Sequence, residues 1–501
     1  MPKSPNRLKA SIVDLTFIIW AVAVPLALGA RMLNSDGDFA RHLRMGNFIL
    51  EGGPYQIDSL AHTFSGPFLT TEWLSQITYA LAYRVGGLPA VGILVGLVLG
   101  LSYALVVLFM RRQGVDPLLA YATGIVAATL GAPHWVARPH LFTFLGLAVL
   151  MHMAVARQKP RLWLFAPFFV LWVNFHGGFV LGLMILGALA AGDLAEAWFD
   201  AARRTEWLDR AKFHGSALLI GVAASIVNPM GVRLPLRVID ILGNDYLLGN
   251  TSEFQSPDFH MLYGRALLAV ILGVIVAFAL RRERPSFPHF AVILMLLAGS
   301  LYARRNAPLF GLVALPLVAL EIDVAFRALG ARWLARVRNV FEEGERIAVP
   351  GRWAPWFAVA LVLLALNRGS IGGAQVVRNE FDAATFPMAA VEAAREAGLE
   401  GNMFNYFTWG GYILWAWPEQ RIYIDGMTDF LGNEVLESYS KVYWLEPGWE
   451  HELRAHDVSF VIFPTKSRVT YALREGYGWT AWYEDDVATI LVPGESNPAW
   501  Q

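Results

Sequence analysis

Eleven apolar stretches, most of them about as long as a bilayer-spanning helix, constrain this chain more than any motif in it. They fall near residues 10–30, 88–110, 117–132, 141–156, 162–175, 178–197, 215–228, 264–280, 288–303, 307–326 and 353–370. A helix needs roughly 17–25 mostly apolar residues to cross the hydrocarbon of a membrane. The chain has too little charge for the alternative of a coated, water-soluble surface. Only 16% of its 501 residues are charged, against about 25% in average soluble domains. The expected fold class is therefore an α-helical polytopic membrane protein of about eleven spans. The first stretch follows Lys3, Arg7 and Lys9; although Ala27-Leu28-Gly29 resembles a weak cleavage site, it reads as an uncleaved first helix.

Orientation follows from the distribution of basic residues. With the N-terminus inside, the inner segments carry 21 Lys and Arg and the outer ones 11. An odd number of spans then puts everything after about 370 outside. The expectation is a bacterial plasma-membrane protein with a cytoplasmic N-terminus. Residues 1–370 form its membrane domain, including a first outer loop over 31–87, and 371–501 form an extracytoplasmic α/β domain. In the loop, the amphipathic stretch Trp73 to Val85 is too short to cross and is expected at the interface. In the C-terminal domain the pattern predicts helices over Met388–Gly398 and Asn433–Tyr443. Strand-like runs fall at Tyr412–Trp417, Arg421–Asp425, Ser459–Phe463 and Thr489–Val492.

Net charge is −1 and there is no cysteine. The first removes a global basic footprint, so no nucleic-acid partner is expected. The second excludes disulfides and thiolate chemistry. No P-loop, zinc-protease or G-x-S-x-G signature is present.

Polar residues of chemical interest gather at the outer ends of the spans. Asp36 and Asp38 follow the first span, and His134, Arg138 and His140 lie between the third and fourth. Asn174 and His176 end the fifth, Asn228 ends the seventh and Glu253 follows it, and Arg304 and Arg305 end the ninth. Each has a plain structural reading: Asp38 as a helix cap, the arginine pair as snorkelling cations, His176 as a satisfied helix-junction histidine, Glu253 as a solvated carboxylate. Their convergence on one side argues for a site. Asp36, Asp38 and Glu253 could hold a divalent cation such as Mg or Mn through oxygen ligands, or one could act as general base. Arg304 and Arg305, with Arg138, His140 and His176, suit a phosphate. Trp409, Tyr412, Trp415 and Trp417 could stack on sugar faces or form a buried core strand. Asp425 and Asp429 lie in a turn and could be acceptor contacts or turn acids.

Three short motifs carry a resemblance. Asp36-Gly37-Asp38-Phe39, followed by Arg44, opens the first outer loop. Thr251-Ser252-Glu253-Phe254-Gln255-Ser256-Pro257 lies in a later outer loop, and Tyr406-Phe407-Thr408-Trp409-Gly410-Gly411-Tyr412 begins the C-terminal domain. In order and topological side the chain resembles the membrane glycosyltransferases of the GT-C fold, which use polyprenyl- or dolichyl-linked sugars, and among them the catalytic subunit of oligosaccharyltransferase. The resemblance implies Asp38, with Asp36, as the acid that activates the acceptor or binds metal. It implies Glu253 as a second carboxylate, Arg304 or Arg305 as a donor-phosphate contact, and Tyr406, Trp409 and Tyr412 on the acceptor side. The implied partners are membrane lipid, a lipid-linked sugar donor, and a glycan, lipid or protein acceptor. Two departures stand out. Thr408 replaces an acidic residue of the aromatic motif, and His134, Arg138 and His140 stand where the family has a further acidic motif. The broader fold is thus a better match than protein N-glycosylation itself. A transporter and a non-enzymatic assembly factor are the alternatives; the first should show repeat symmetry and polar residues deep in its spans.

Overall fold

The computed structural model describes residues 9–53, 56–58, 60–65, 67–69, 71–156, 159–281 and 283–494. Its residues cluster into two compact units. One comprises 1–28, 92–243 and 248–377; the other comprises 29–91, 244–247 and 378–501. The first outer loop, counted with the membrane part in the sequence, thus clusters with the C-terminal residues.

The first unit is helical. Each of the apolar stretches read from the sequence lies on a helix among the described residues. Five helices are long and apolar enough to cross a membrane: Ile12–Asn34, Trp73–Gln113, Phe179–Phe199, Leu262–Ala279 and Arg304–Arg327. Four apolar helices are shorter: His140–Ala154, Leu162–Phe175, Phe287–Tyr302 and Ala354–Leu366. The 41-residue helix Trp73–Gln113 is broken at Gly86 and Gly87. Gly87 has φ 66° and ψ −160°, a conformation that side chains forbid, so the interfacial stretch ends where the sequence placed its end.

Helix ends in this unit are closed by buried carboxylates. Ser11 and Asp14 form a reciprocal capping box at the start of the first helix. The other oxygen of Asp14, Oδ1, accepts from the backbone N–H groups of Trp353 and Ala354 at 2.8 and 3.0 Å. One side chain therefore caps two helices, satisfying donors that would otherwise be unpaired in apolar surroundings. Asp116 caps the Pro117–Gly131 helix and pairs with Arg338 at 2.9 Å. Helices also approach closely through small residues. A Cβ on Gly96 or Gly100 would lie 2.7 or 2.9 Å from backbone oxygens of Ala21 and Phe17, the spacing of a small-xxx-small contact.

The second unit holds a four-stranded mixed sheet in the order Asn402–Asn405, Val458–Pro464, Ala488–Val492, Thr480–Glu484. The first pair is parallel and the others antiparallel. A parallel pair needs a long crossover, and the helices Gly410–Ala416, Asn433–Trp444 and Trp449–Ala455 supply it. Helices Met388–Glu396 and Asn433–Trp444 and the last two expected strands stand where the sequence put them. Two expectations are corrected. Tyr412–Trp417 is not a strand but lies on and just beyond the helix Gly410–Ala416, and among the described residues Arg421–Asp425 forms one isolated bridge, from Ile422 to Ala61. A short aromatic-rich run carries no period that separates helix from strand, and Gly410-Gly411 starts the helix.

Candidate functional site

In the first unit the polar residues of three loops converge. Glu253 sits on the 3-10 turn Ser252–Phe254, and Arg138 lies in the loop before the His140–Ala154 helix. Arg138 Nη1 contacts Glu253 Oε1 at 3.0 Å, and Arg305 Nη1 lies 4.0 Å from the other carboxylate oxygen, Oε2. Arg305 also stacks over Phe254 at 4.6 Å. Arg304 is tied to the same turn twice: its backbone N–H donates to the Gln255 carbonyl at 2.9 Å, and its guanidinium donates to Ser252 Oγ at 2.9 Å.

Burial alone would raise the Glu253 pKa. Arg138 and Arg305 outweigh it, and the carboxyl is held at about 2. Burial, with Arg305 and Arg304, keeps His134 below its usual value against the pull of Glu253. One carboxylate therefore faces two guanidinium groups, with that of Arg304 on the adjacent Ser252, leaving an excess of positive charge.

The histidines around this cluster have defined hydrogen bonds. His140 Nε2 donates to the His134 carbonyl at 2.7 Å. His176 Nδ1 accepts from the Gly178 backbone N–H at 3.0 Å and lies 2.8 Å from Thr143 Oγ1. The neutral His176 ring therefore carries its proton on Nε2. The two imidazoles lie 6.4 Å apart, edge to face.

In the second unit Asp38 is the first residue of the helix Asp38–Leu50. Its backbone N–H donates to Asp36 Oδ1 at 3.0 Å, a local turn that starts the helix. Asp38 is 4% exposed and its Oδ1 lies 3.6 Å from Arg41 Nη2. Arg41 in turn approaches Asp425 Oδ2 through Nε at 3.3 Å. Two buried carboxylates thus share one buried guanidinium.

Glycines make this arrangement possible. A Cβ on Gly37 would lie 1.6 Å from the Thr408 carbonyl oxygen, one on Gly411 2.1 Å from the Gly37 oxygen, and one on Gly426 1.9 Å from Asp38 Oδ1. The first-loop motif Asp36-Gly37-Asp38 and the aromatic motif around Thr408-Trp409-Gly410-Gly411 are therefore in direct contact, backbone against backbone.

The aromatic acceptor candidates are engaged internally. Trp409 is 3% exposed, with its indole N–H donating to the Thr385 carbonyl at 2.8 Å. Tyr412 is equally buried, its ring stacked on Phe386 at 5.1 Å and beside Phe381. Both side chains are packed inside the second unit, as core residues are. Tyr406 is half-buried, stacked with Tyr443 at 6.4 Å.

The sequence leaves Asp425 as an acceptor contact or a turn acid and does not single out Arg41. The Ile424-Asp425-Gly426 turn, with its glycine, carried the only local signal. Asp429 lies on the short helix Thr428–Leu431, and its side chain is outside the described residues.

Among the described residues no group of three or more His, Asp or Glu side chains is arranged to hold a metal ion. Both oxygens of Glu253 face arginines, and Asp38 and Asp425 face Arg41. Their charge is met by guanidinium, so a divalent cation does not fit these carboxylates as they stand.

No protein-family model matches the chain, and no curated protein matches it in sequence. Solved structures do match in fold. The archaeal oligosaccharyltransferase AglB from Archaeoglobus fulgidus, in complex with an inhibitory peptide and a dolichol-phosphate, aligns with 97% of this chain and 74% of its own, at TM-score 0.56 and 14% identity. The oligosaccharyltransferase of the same organism, tethered to an acceptor peptide containing the NVT sequon, aligns at TM-score 0.55 and 14% identity, over 97% and 73%. ArnT from Cupriavidus metallidurans bound to undecaprenyl phosphate aligns over 96% of this chain and 98% of its own, at TM-score 0.50 and 14% identity. The chain has a GT-C-like fold, with five helices among the described residues long and apolar enough to cross a membrane. It is similar across nearly its whole length to oligosaccharyltransferase and to ArnT.

Proposed function

We propose that this protein is a membrane glycosyltransferase that moves a sugar from a polyprenyl-phosphate-type lipid donor to an acceptor on the outer face of the membrane. The observation that carries the reading is the cluster of Arg138, Arg304 and Arg305 around a single carboxylate, Glu253, on loops between apolar helices. Guanidinium groups fixed by a neighbouring carboxylate and hydroxyl are pre-oriented for a phosphate arriving from the lipid. The fold likeness to proteins solved with dolichol-phosphate and undecaprenyl phosphate supports the same chemistry.

In this reaction the donor phosphate is held by Arg304 and Arg305, with Arg138. Glu253 orients Arg138 and Arg305, Ser252 orients Arg304, and Glu253 does not itself take a proton, since its carboxyl is held ionised. Neutral His176, protonated on Nε2, presents a hydrogen-bond donor to a phosphate oxygen, whereas the single N–H of neutral His140 is spent on the His134 carbonyl. An acceptor hydroxyl passes its proton to Asp38 as its oxygen attacks the anomeric carbon. The bond from that carbon to the phosphate oxygen breaks, and the electron pair leaves with the lipid phosphate. The arginines stabilise the charge that develops there. Arg41 holds the Asp38 carboxylate in place before the attack, and Asp36 fixes the turn from which Asp38 projects.

The test is turnover of polyprenyl-linked sugar donors in membranes containing wild type, Asp38→Asn or Arg304→Gln. The reading expects a loss of at least about a hundredfold for Asp38→Asn, the range for removing an acid-base group. For Arg304→Gln it expects a loss of donor binding. Full turnover by Asp38→Asn would remove the acid from the mechanism, and unaltered donor binding by Arg304→Gln would remove the phosphate site.

A further inference from the structure

The helix Arg332–Ile347 connects two apolar helical segments, Arg304–Arg327 and Ala354–Leu366. It is amphipathic in an unusual way, with three kinds of face. One packs on the protein: Leu334 is buried, Phe341 lies 5.9 Å from Tyr121, and Arg338 donates to Asp116 at 2.9 Å and to the Arg327 carbonyl at 3.0 Å. A second face is polar and exposed, with Asn339 and Arg346. The third is apolar and exposed: Trp333 at 69%, Val337 at 38% and Val340 at 71%, spaced i, i+4, i+7 along one stripe. Val324 and Leu329, exposed at 80% and 46%, precede it.

A helix that buried its apolar stripe on its own protein would have two faces, and a helix in water would keep valine and tryptophan off its open side. Here the stripe is separate from the protein-facing side. Charge follows the same division. From Arg327 to Phe341 there are four arginines and no acid. Arg332 and Arg336 flank the stripe and join no ion pair among the described residues. Arginine beside an exposed Trp-Val-Val stripe matches the boundary between acyl chains and anionic headgroups. The apolar helices at both ends hold this segment close to that boundary.

We propose that Arg332–Ile347 is a membrane-surface helix that beds Trp333, Val337 and Val340 into the lipid, with Arg332 and Arg336 on anionic headgroups. The inference does not depend on the glycosyl-transfer reading.

Because the chain has no cysteine, single cysteines can be placed in the otherwise native full-length protein and spin-labelled in bilayer discs. The sites are Trp333→Cys, Val337→Cys and Val340→Cys on the stripe, and Asn339→Cys and Arg346→Cys on the polar face. All five positions are exposed, so the fold should tolerate them. The stripe labels are expected to be relaxed by oxygen more than by a water-soluble nickel chelate, and the polar-face labels the reverse. Equal nickel access at all five positions would overturn the proposal. Stripe labels shielded from both reagents would also overturn it, since a second copy or a protein partner would then cover them. Adding phosphatidylglycerol to phosphatidylcholine discs should deepen the Trp333→Cys label, and Arg332→Gln with Arg336→Gln should abolish that deepening. A depth indifferent to lipid charge would overturn the assigned headgroup contact.

Discussion

Arg41 and Asp425, far apart in the chain, meet at 3.3 Å with each residue only 3% exposed. The same guanidinium lies 3.6 Å from Asp38. Arg41 thus neutralises part of a charge that the surrounding apolar side chains could not stabilise, and it binds the first loop to the C-terminal residues.

Removing that guanidinium should be costly. Arg41→Met leaves two buried carboxylates facing each other, and breaking a buried pair costs about 3–5 kcal/mol. We expect a large fall in the thermal midpoint of the purified protein, with Arg41→Lys intermediate because lysine keeps the charge but loses the planar fork. A midpoint unchanged by Arg41→Met would show that the pair contributes nothing.

The glycine contacts predict a sharp positional dependence. Gly37→Ala forces a methyl within 1.6 Å of the Thr408 backbone oxygen and should lower stability by more than the ~1–3 kcal/mol of ordinary overpacking, whereas Gly426→Ala meets the Asp38 side-chain oxygen at 1.9 Å and should cost about that amount as the carboxylate is pushed off Arg41. Gly273→Ala, in a helix with nothing within 4 Å of the new atom, should be neutral or stabilising. Size-exclusion profiles and melting curves of the three variants side by side decide the matter.

Acid should act through Glu253. Its carboxyl is held at about 2 in the folded protein, against about 4.3 in an unfolded chain. The ion cluster's contribution is therefore complete above the ordinary glutamate range and is lost as pH falls from there toward 2. Between pH 5 and pH 3, wild type should lose thermal stability more steeply than Glu253→Gln, which has no such proton to take up. Parallel curves for the two proteins would contradict the cluster.

Asp14→Ala removes two helix caps at once. Each cap is typically worth about 0.5–2 kcal/mol, so a loss of roughly 1–4 kcal/mol is expected. It should be accompanied by faster hydrogen exchange at the amides of Trp353 and Ala354. Exchange that speeds up only at residues 12–15 would mean that the distant cap is not used.

The helices were legible because apolar runs of spanning length have few other solutions, and the Gly86-Gly87 break was legible because the pattern changes character there. The aromatic run Tyr412–Trp417 was not. Its residues suit a strand and a buried helix equally, and only the contact of Gly411 with Gly37, invisible in a linear chain, decides for the helix. The arginines and Glu253 could be grouped from topology. Arg41 and Asp425 could not, because each looks like an ordinary surface residue until the fold brings them together.

Asp14 also fixes an order of events during synthesis. Its Oδ2 finds Ser11 at once, three residues away, but Oδ1 awaits an amide 339 residues further on. At roughly 5–20 residues per second that wait is about 20–70 s. For that time the nascent first helix carries a half-satisfied carboxylate. A chain that stops short of residue 353 leaves that oxygen without the two amides that meet it in the finished fold.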